Sequence, residues 1–293
     1  MATFSLNQMT LIGVGLIGGS FALDLKRKGL VRRVVGVDVN VQNLERALER
    51  KVIDEAATEI DSASIAGSDL VLIATPVATL PAICTRLAPL LQKETIVSDV
   101  GSTKQSALQA FAQYLPDHLP NCVAAHPIAG SDRHGALAAQ FGLYEGKKLI
   151  LCPNPVQNPA ALDLLEKLWR EVGTCTFIMP AAEHDAIFAA VSHMPHLLAF
   201  SYVHQIQDHA DADLYLNFAA SGFRDFTRIA SSHPAIWTDI CLANRQSLLD
   251  LIEGQRAQLD KVAYLLQAGD AEGLYAYLEE AKATRDGWLE QQN

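Results

Sequence analysis

Residues 122–135 read CVAAHPIAGSDRHG. An apolar, β-prone run ends in His126, with a proline and a glycine just behind it. Imidazole is the side chain whose ordinary pKa lies nearest neutrality, so a ring held at a strand end is a candidate proton acceptor. Ser102 ends an earlier run of the same texture, TIVSDVGS. If the two runs lie parallel and adjacent, hydroxyl and ring share one crevice, because ligands of open α/β sheets gather beyond the carboxyl ends of strands. A bond between them would set the tautomer of the ring. On position alone, a strand-end histidine bonded to backbone accounts for His126 equally well.

A second constellation lies near the start. TLIGVGLIGGSFALDL carries Gly13, Gly15 and Gly18 in the G-x-G-x-x-G spacing, between an apolar run and an amphipathic helical pattern, and Asp38 follows 20 residues after Gly18. The pattern alone is weak; its context makes it specific. Gly13 suits a tight turn, Gly15 a close approach to a pyrophosphate, and Gly18 close helix–strand packing, with the helix N-terminus stabilising the anion. Leu16 and Ile17 lie in the same loop and are expected beside the ligand. Asp38 would accept from ribose hydroxyls and repel a 2′-phosphate, and the following VNVQN offers no arginine to hold one. The cofactor expected is therefore NAD rather than NADP. Thr75 and Pro76, closing DLVLIATP, are expected near the nicotinamide ribose; a proline that merely ends a strand is the competing explanation.

The third candidate is cationic. No Lys or Arg occurs from Glu171 to Phe223; then Arg224 and Arg228 appear, four apart and so on one helical face. Such a pair in an acidic region could anchor a carboxylate through the guanidinium fork, or could make ordinary surface ion pairs. His193 and His196 are three apart, but no third ligand is in register, so no metal site is expected.

These residues need a scaffold. Strand-like runs at 9–15, 34–39, 69–76, 95–102, 122–130 and 148–153 alternate with helical patterns, which implies βαβ units and a parallel, doubly wound, Rossmann-like sheet. After TCTFIMP (174–180) only helical patterns follow: 183 to about 207, 214–230, 234–252 and 254–285. The expected division is a dinucleotide-binding domain over 1–180 and an all-helical substrate and dimerisation domain over 181–293. A kink is expected at Pro195. The chain has 293 residues, 49% of them hydrophobic, enough for a sizeable core. Net charge is −10; residues 1–150 carry 14 basic and 14 acidic side chains, the rest 9 and 19. An acidic chain without a basic stripe argues against nucleic acid and anionic membrane as partners. No secretory signal, bilayer-spanning stretch or zinc spacing is evident, and five scattered cysteines suit reduced thiols, so a cytoplasmic location is expected.

The segments GVGLIGGSFA, DVGSTK, HPIAGSD, SHMPHLLAF and GFRDFTRIASSHPAIW, in this order, resemble the prephenate/arogenate (cyclohexadienyl) dehydrogenase family, from about residue 9 to the C-terminal helices. The last two segments are specific to that family; the first is shared by many dehydrogenases. The resemblance implies NAD-dependent oxidative decarboxylation of prephenate or arogenate in tyrosine biosynthesis, by a homodimer. It implies that His126 takes the proton of the ring hydroxyl, that Ser102 hydrogen-bonds His126, that Arg228 holds a substrate carboxylate, and that His196 helps position the substrate. It also implies a tryptophan, Trp237 here, lining the site from the partner subunit. Asp132, with Ser131 beside it, is the carboxylate that could meet an arogenate ammonium. His118, His134, His184, His204, His209 and His233 are given no role. Neither a mutase domain before the glycine loop nor a regulatory domain after the helices is expected.

Two other readings compete. β-Hydroxyacid-type dehydrogenases join a similar loop to a helical domain, but use a lysine on the first helix past the boundary, where this chain has none. A non-catalytic NAD-sensing regulator would have no need of a base.

Overall fold

A computed structural model describes residues 5–130 and 135–291. They form two compact units, one running to Arg245 and one from Gln246 onward. The first unit is built on eight strands: β1 (Leu6–Ile12), β2 (Val31–Val37), β3 (Glu55–Ala57), β4 (Leu70–Ile73), β5 (Ile96–Asp99), β6 (Cys122–Pro127), β7 (Lys148–Cys152) and β8 (Cys175–Ile178). They lie in the order β3-β2-β1-β4-β5-β6-β7-β8. The chain leaves β1 toward β2 on one side and returns to β4 on the other, so the crevice of a doubly wound sheet opens between β1 and β4.

The expectation of a parallel sheet holds from β3 to β6. β7 runs antiparallel to β6, pairing His126 with Ile150, and β8 is parallel to β7. The cause is the connection: the described residues of 128–147 include only a three-residue helical turn at Ala136–Ala138, with no crossover helix among them to carry the chain back to the starting edge. β3 is a three-residue edge strand without a hydrophobic signature in the sequence.

Alternation divides the core between the two sheet faces. Leu70, Leu72, Val123, Ala125, Leu149 and Leu151 pack on one face, with α1 (Leu16–Arg27) and the Pro159–Glu171 helix. Val71, Ile73, Cys122, Ala124, Ile150 and Cys152 pack on the other. Strand residues alternate faces, so His126 shares the second face with Cys122 and Ala124. Further along the chain come α2 (Val41–Glu49), α3 (Leu80–Leu87), α4 (Gln105–Tyr114), α5 (Pro159–Glu171), α6 (Ala181–Phe188) and α7 (Met194–Gln207). α3, α4 and α6 lie on the face of His126.

Between α6 and α7 a five-residue π turn, Ala189–His193, precedes Pro195, so the kink expected at the proline is realised as a wide turn before it. The helical run 181–207 contains an 18-residue window with a mean hydropathy of 1.4 and is by length and composition long and apolar enough to cross a bilayer, contrary to expectation. Its His184 and Asp185 are nonetheless buried in hydrogen bonds with other elements of the unit. The pattern at 214–230 breaks into a short helix at Ala212–Asn217, α8 (Ser221–Thr227) and a tight turn at Arg228–Ser231; α9 (Pro234–Ala243) stops at Asn244.

In the second unit, α10 (Arg245–Ala268) and α11 (Ala271–Glu290) replace the single helix expected over 254–285. Gly269 takes φ +64, and Asp270 caps α11 by accepting the Gly273 N–H at 2.9 Å. Tyr277 Oη donates to Gln258 Oε1 at 3.2 Å across the hairpin.

Candidate active site

A cavity of about 1130 Å³ opens at the carboxyl ends of β1, β2 and β4. Gly13 turns there with φ +89, and a Cβ on it would strike the Ala74 carbonyl oxygen. Gly15 starts α1, and a Cβ on it would meet nothing, so the first-turn N–H groups face open space. Gly18 is not a wall residue; a Cβ there would collide with Leu11 and Ala74, which is the close packing the sequence implied. Leu16, Ile17, Thr75 and Pro76 line the cavity.

Asp38 also lines it, at the end of β2. Its Oδ2 accepts the Val14 N–H at 3.1 Å and Asn43 Nδ2 at 2.8 Å, and its Oδ1 accepts the Asn40 N–H at 2.9 Å. Asn43, which the sequence did not single out, donates to the Val14 carbonyl at 2.8 Å and accepts the Ala136 N–H at 2.7 Å. It thereby ties the glycine loop to the chain that follows His126. An open helix N-terminus beside a fixed carboxylate at the end of β2 fits a dinucleotide, anionic centre at one and ribose at the other.

His126 ends β6 and is half-buried. Its Nδ1 is bonded to His184 Nε2 at 2.8 Å, not to Ser102. This corrects the expected serine–histidine pair. Face parity explains it: β6 turns His126 toward the face covered by α6, which carries His184. His184 Nδ1 in turn bonds Asp185 Oδ1 at 2.8 Å. Asp185 accepts the Lys104 and Gln105 N–H groups at 2.8 and 3.0 Å, at the N-terminus of α4. Burial opposes its ionisation, but the His184 bond and these two N–H groups outweigh burial and hold its pKa below the usual range. Burial, and after it the neighbouring His184, Lys104 and His193, depress the pKa of His126 well below 6.5; the ring is neutral. Its Nε2 has no hydrogen-bond partner among the described residues. Ser102, Ala129 and Gly130 line the cavity around this strand end; His126 itself stands outside the wall.

The DVGSTK segment holds a second structural device. Lys104 is fully buried; its ammonium lies 2.5 Å from Asp99 Oδ2 and donates to the Ala125 carbonyl at 2.6 Å. Asp99 also accepts the Gly101 N–H at 2.9 Å. The pair therefore locks the turn bearing Ser102 to the residue before His126. Acid and amine five apart in one motif were the available signal.

Arg228, His196 and Trp237 also line the cavity. Arg228 is exposed and has no acidic partner among the described residues, whereas Arg224 lies beside Asp225 and does not line the cavity. The two are not on one helical face, because α8 ends at Thr227. His196 Nδ1 donates to the Ser192 carbonyl at 2.8 Å, and the ring stacks on Trp237 of the same chain, centroids 3.5 Å apart. Trp237, which the resemblance places in the site from a partner subunit, lines the cavity of its own chain. Burial, then the Ser192 carbonyl and Arg228 acting in opposite senses, leaves the pKa of His196 lowered. His193 is buried beside it, accepting from Asn244 Nδ2 at 3.3 Å. Ser131 and Asp132 lie outside the described residues. No cluster able to hold a metal occurs among the described residues.

Residues 21–177 match the family described as prephenate dehydrogenase, nucleotide-binding domain, and residues 180–280 that described as prephenate dehydrogenase, dimerization domain. Among curated proteins, a prephenate dehydrogenase of Bacillus subtilis is 38% identical over 96% of this chain and 77% of its own length. A cyclohexadienyl dehydrogenase of Zymomonas mobilis is 30% identical over 94% of both chains. Among solved structures, Aquifex aeolicus prephenate dehydrogenase in complex with hydroxyphenyl propionate and NAD+ superposes with a TM-score of 0.91, at 33% identity, over 98% of this chain and 99% of that one.

Proposed function

This chain belongs to the prephenate dehydrogenase family, and from that premise we propose that its cavity carries out the NAD-dependent oxidative decarboxylation of prephenate or arogenate, a step of tyrosine biosynthesis. The observation that carries the reading is the makeup of one cavity. The glycine loop with Asp38, the cation Arg228, His196 and Ser102 all line it.

Gly13, Gly15, Leu16, Ile17 and Asp38 hold the dinucleotide, with Gly18 packing beneath and Thr75 and Pro76 toward the nicotinamide end. NAD, when bound, accepts hydride from C4 of the substrate. His126 Nε2 takes the proton of the C4 hydroxyl as that carbon is oxidised. Loss of the C1 carboxylate as carbon dioxide then makes the ring aromatic. The product carries a phenol, so the proton held on His126 returns to the oxygen and none is released overall. Aromatisation supplies the driving force, and the protein mainly orients. Arg228 grips a carboxylate through its fork, with no acid among the described residues to displace first. His196, held by Ser192 and Trp237, fixes the substrate's position, and Ser102, which lines the same cavity, hydrogen-bonds the reacting hydroxyl. Asp132, with Ser131, would meet the arogenate ammonium, giving broad cyclohexadienyl specificity.

The boundary near 180 separates cofactor and substrate halves. The helical half pairs two copies of the chain: Tyr264, Leu266, Tyr275 and Leu278 are large apolar side chains left exposed in the second unit. A cytoplasmic enzyme acting on a small-molecule substrate is the reading that kinship with prephenate and cyclohexadienyl dehydrogenases supports. The test is NADH formation with prephenate and with arogenate, wild type against His126→Asn. No turnover of either substrate overturns the proposal, and so does full turnover in the variant.

A further inference from the structure

We propose that His184 is a positioning residue for the proton transfer, holding His126 in the one neutral tautomer whose Nε2 can act as base; this rests on the base role given to His126 above. The argument is one of donor and acceptor order. Asp185 is buried and receives two backbone N–H groups, Lys104 at 2.8 Å and Gln105 at 3.0 Å. Backbone N–H can only donate, so the Asp185 carboxyl is an acceptor. His184 Nδ1, 2.8 Å from Asp185 Oδ1, must therefore carry a proton. A neutral imidazole protonated at Nδ1 presents a lone pair at Nε2. That lone pair faces His126 Nδ1 at 2.8 Å, so His126 Nδ1 must donate. The lone pair of His126 is then at Nε2, the nitrogen with no hydrogen-bond partner among the described residues.

The surroundings remove the alternatives. Phe188 packs against both rings, 4.9 Å from His126 and 4.5 Å from His184 between centroids. A hydroxyl such as Ser102 could donate or accept and would leave the tautomer open. His184 has no such freedom, because its own proton is placed by Asp185 and the N-terminus of α4. When His126 Nε2 gains a proton, the charge of the imidazolium is met by His184 Nε2 and, through it, by the Asp185 carboxylate. Imidazole free in water favours protonation at Nε2, the wrong form for the role, so the bond to His184 reverses a default.

The test reads the tautomer directly. The full-length protein is labelled with ¹⁵N at histidine, and the His126 ring signals are identified by their loss in His126→Asn. Expected for the wild type is protonation at Nδ1 and a free Nε2. In His184→Leu the ring reverts toward protonation at Nε2, and kcat falls roughly 10–100-fold while KM for substrate and for NAD stays within about twofold. His184→Gln, whose Oε1 can accept from Nδ1, returns most of the lost kcat. A wild-type ring protonated at Nε2 overturns the proposal even if no His184 variant folds. A folded His184→Leu that keeps both tautomer and kcat also overturns it, leaving the base role of His126 intact. Failure of the base role itself appears elsewhere, as turnover surviving in His126→Asn, and takes the proposal with it.

Discussion

Asp38 Oδ2 accepts the Val14 N–H at 3.1 Å, so the carboxylate proposed to meet the cofactor ribose also clamps the glycine loop. With the bonds from Asn40 and Asn43, one side chain holds three donors of the cofactor half in place. Asp38→Ala should therefore act twice. The KM for NAD should rise at least 10-fold and the preference over NADP should narrow, because the acceptor for the ribose hydroxyls and the repulsion of a 2′-phosphate are both lost. Orphaning the Val14 N–H should also cost about 1–3 kcal/mol of stability, read as a lowered denaturation midpoint. A variant that changes cofactor kinetics with unaltered stability would show that the clamp contributes nothing.

The pH dependence has a definite sign. His126 must be neutral to accept a proton, and burial, His184, Lys104 and His193 all depress its pKa well below 6.5. His196, across the cavity, is lowered as well. The acid limb of kcat/KM, which reports the free enzyme, should stay level as pH falls through 6.5 and break only below it. In His126→Asn, kcat should fall about 10²–10⁴-fold. A limb centred at or above 6.5 would contradict the buried, charge-flanked setting of the ring.

Lys104 is the test of the scaffold beneath the site. Its ammonium is fully buried against Asp99 and the Ala125 carbonyl. Lys104→Met leaves Asp99 a buried charge without its counter-ion, which should cost about 3–5 kcal/mol in urea unfolding. Adding Asp99→Asn should recover part of that loss, since a neutral amide needs no counter-ion. A double variant less stable than Lys104→Met alone would mean that the charge is not the cause.

The cofactor half was legible because a glycine loop states its geometry locally: a strand, a turn and a helix within a few residues. Arg224 and Arg228 stood out together as cations after a long gap without any, and only the structure tells which of them lines the cavity. What stayed hidden was long-range. His184 lies 58 positions from its partner in an apolar helical run, and nothing local marks it as other than a buried polar residue. The parity of β6 was the usable signal: His126 shares a face with Cys122 and Ala124, so its partner had to come from a helix on that face. The antiparallel β7 was hidden for a related reason. Strand direction depends on whether the connection crosses over, and residues 128–147 carry no clear helical pattern by which to decide. Gly269-Asp270, by contrast, was a legible helix stop and start that the apolar periodicity on either side obscured.

Arg228 should control binding more than chemistry. Arg228→Lys keeps the charge but loses the two-pronged fork, so KM for prephenate should rise roughly 10-fold with kcat within a few-fold. Arg228→Ala should raise KM further, while Arg224→Ala, outside the cavity and beside Asp225, should leave it within twofold. Equal effects at both positions would mean general electrostatic attraction instead of a fixed carboxylate site.

His193 should make the fold acid-sensitive. It is buried, with its Nδ1 accepting from Asn244 and its Nε2 lacking a partner. Burial lowers its pKa from 6.5 to about 4, with Asp185 pulling it upward and His184 and His196 downward. The unfolded chain binds a proton near pH 6.5 and the folded chain does not, so stability is full above 6.5 and is lost as pH falls toward 4. By pH 4 this one ring should cost the native state on the order of 3 kcal/mol. His126 and His184, both depressed, act in the same direction. Thermal unfolding followed from pH 7 to pH 4 should therefore show a falling Tm, and the fall should be shallower in His193→Gln, which can still meet Asn244 but does not titrate. If the two profiles run parallel, the acid loss belongs to other groups, and His193 is no more than a packed ring beside the site.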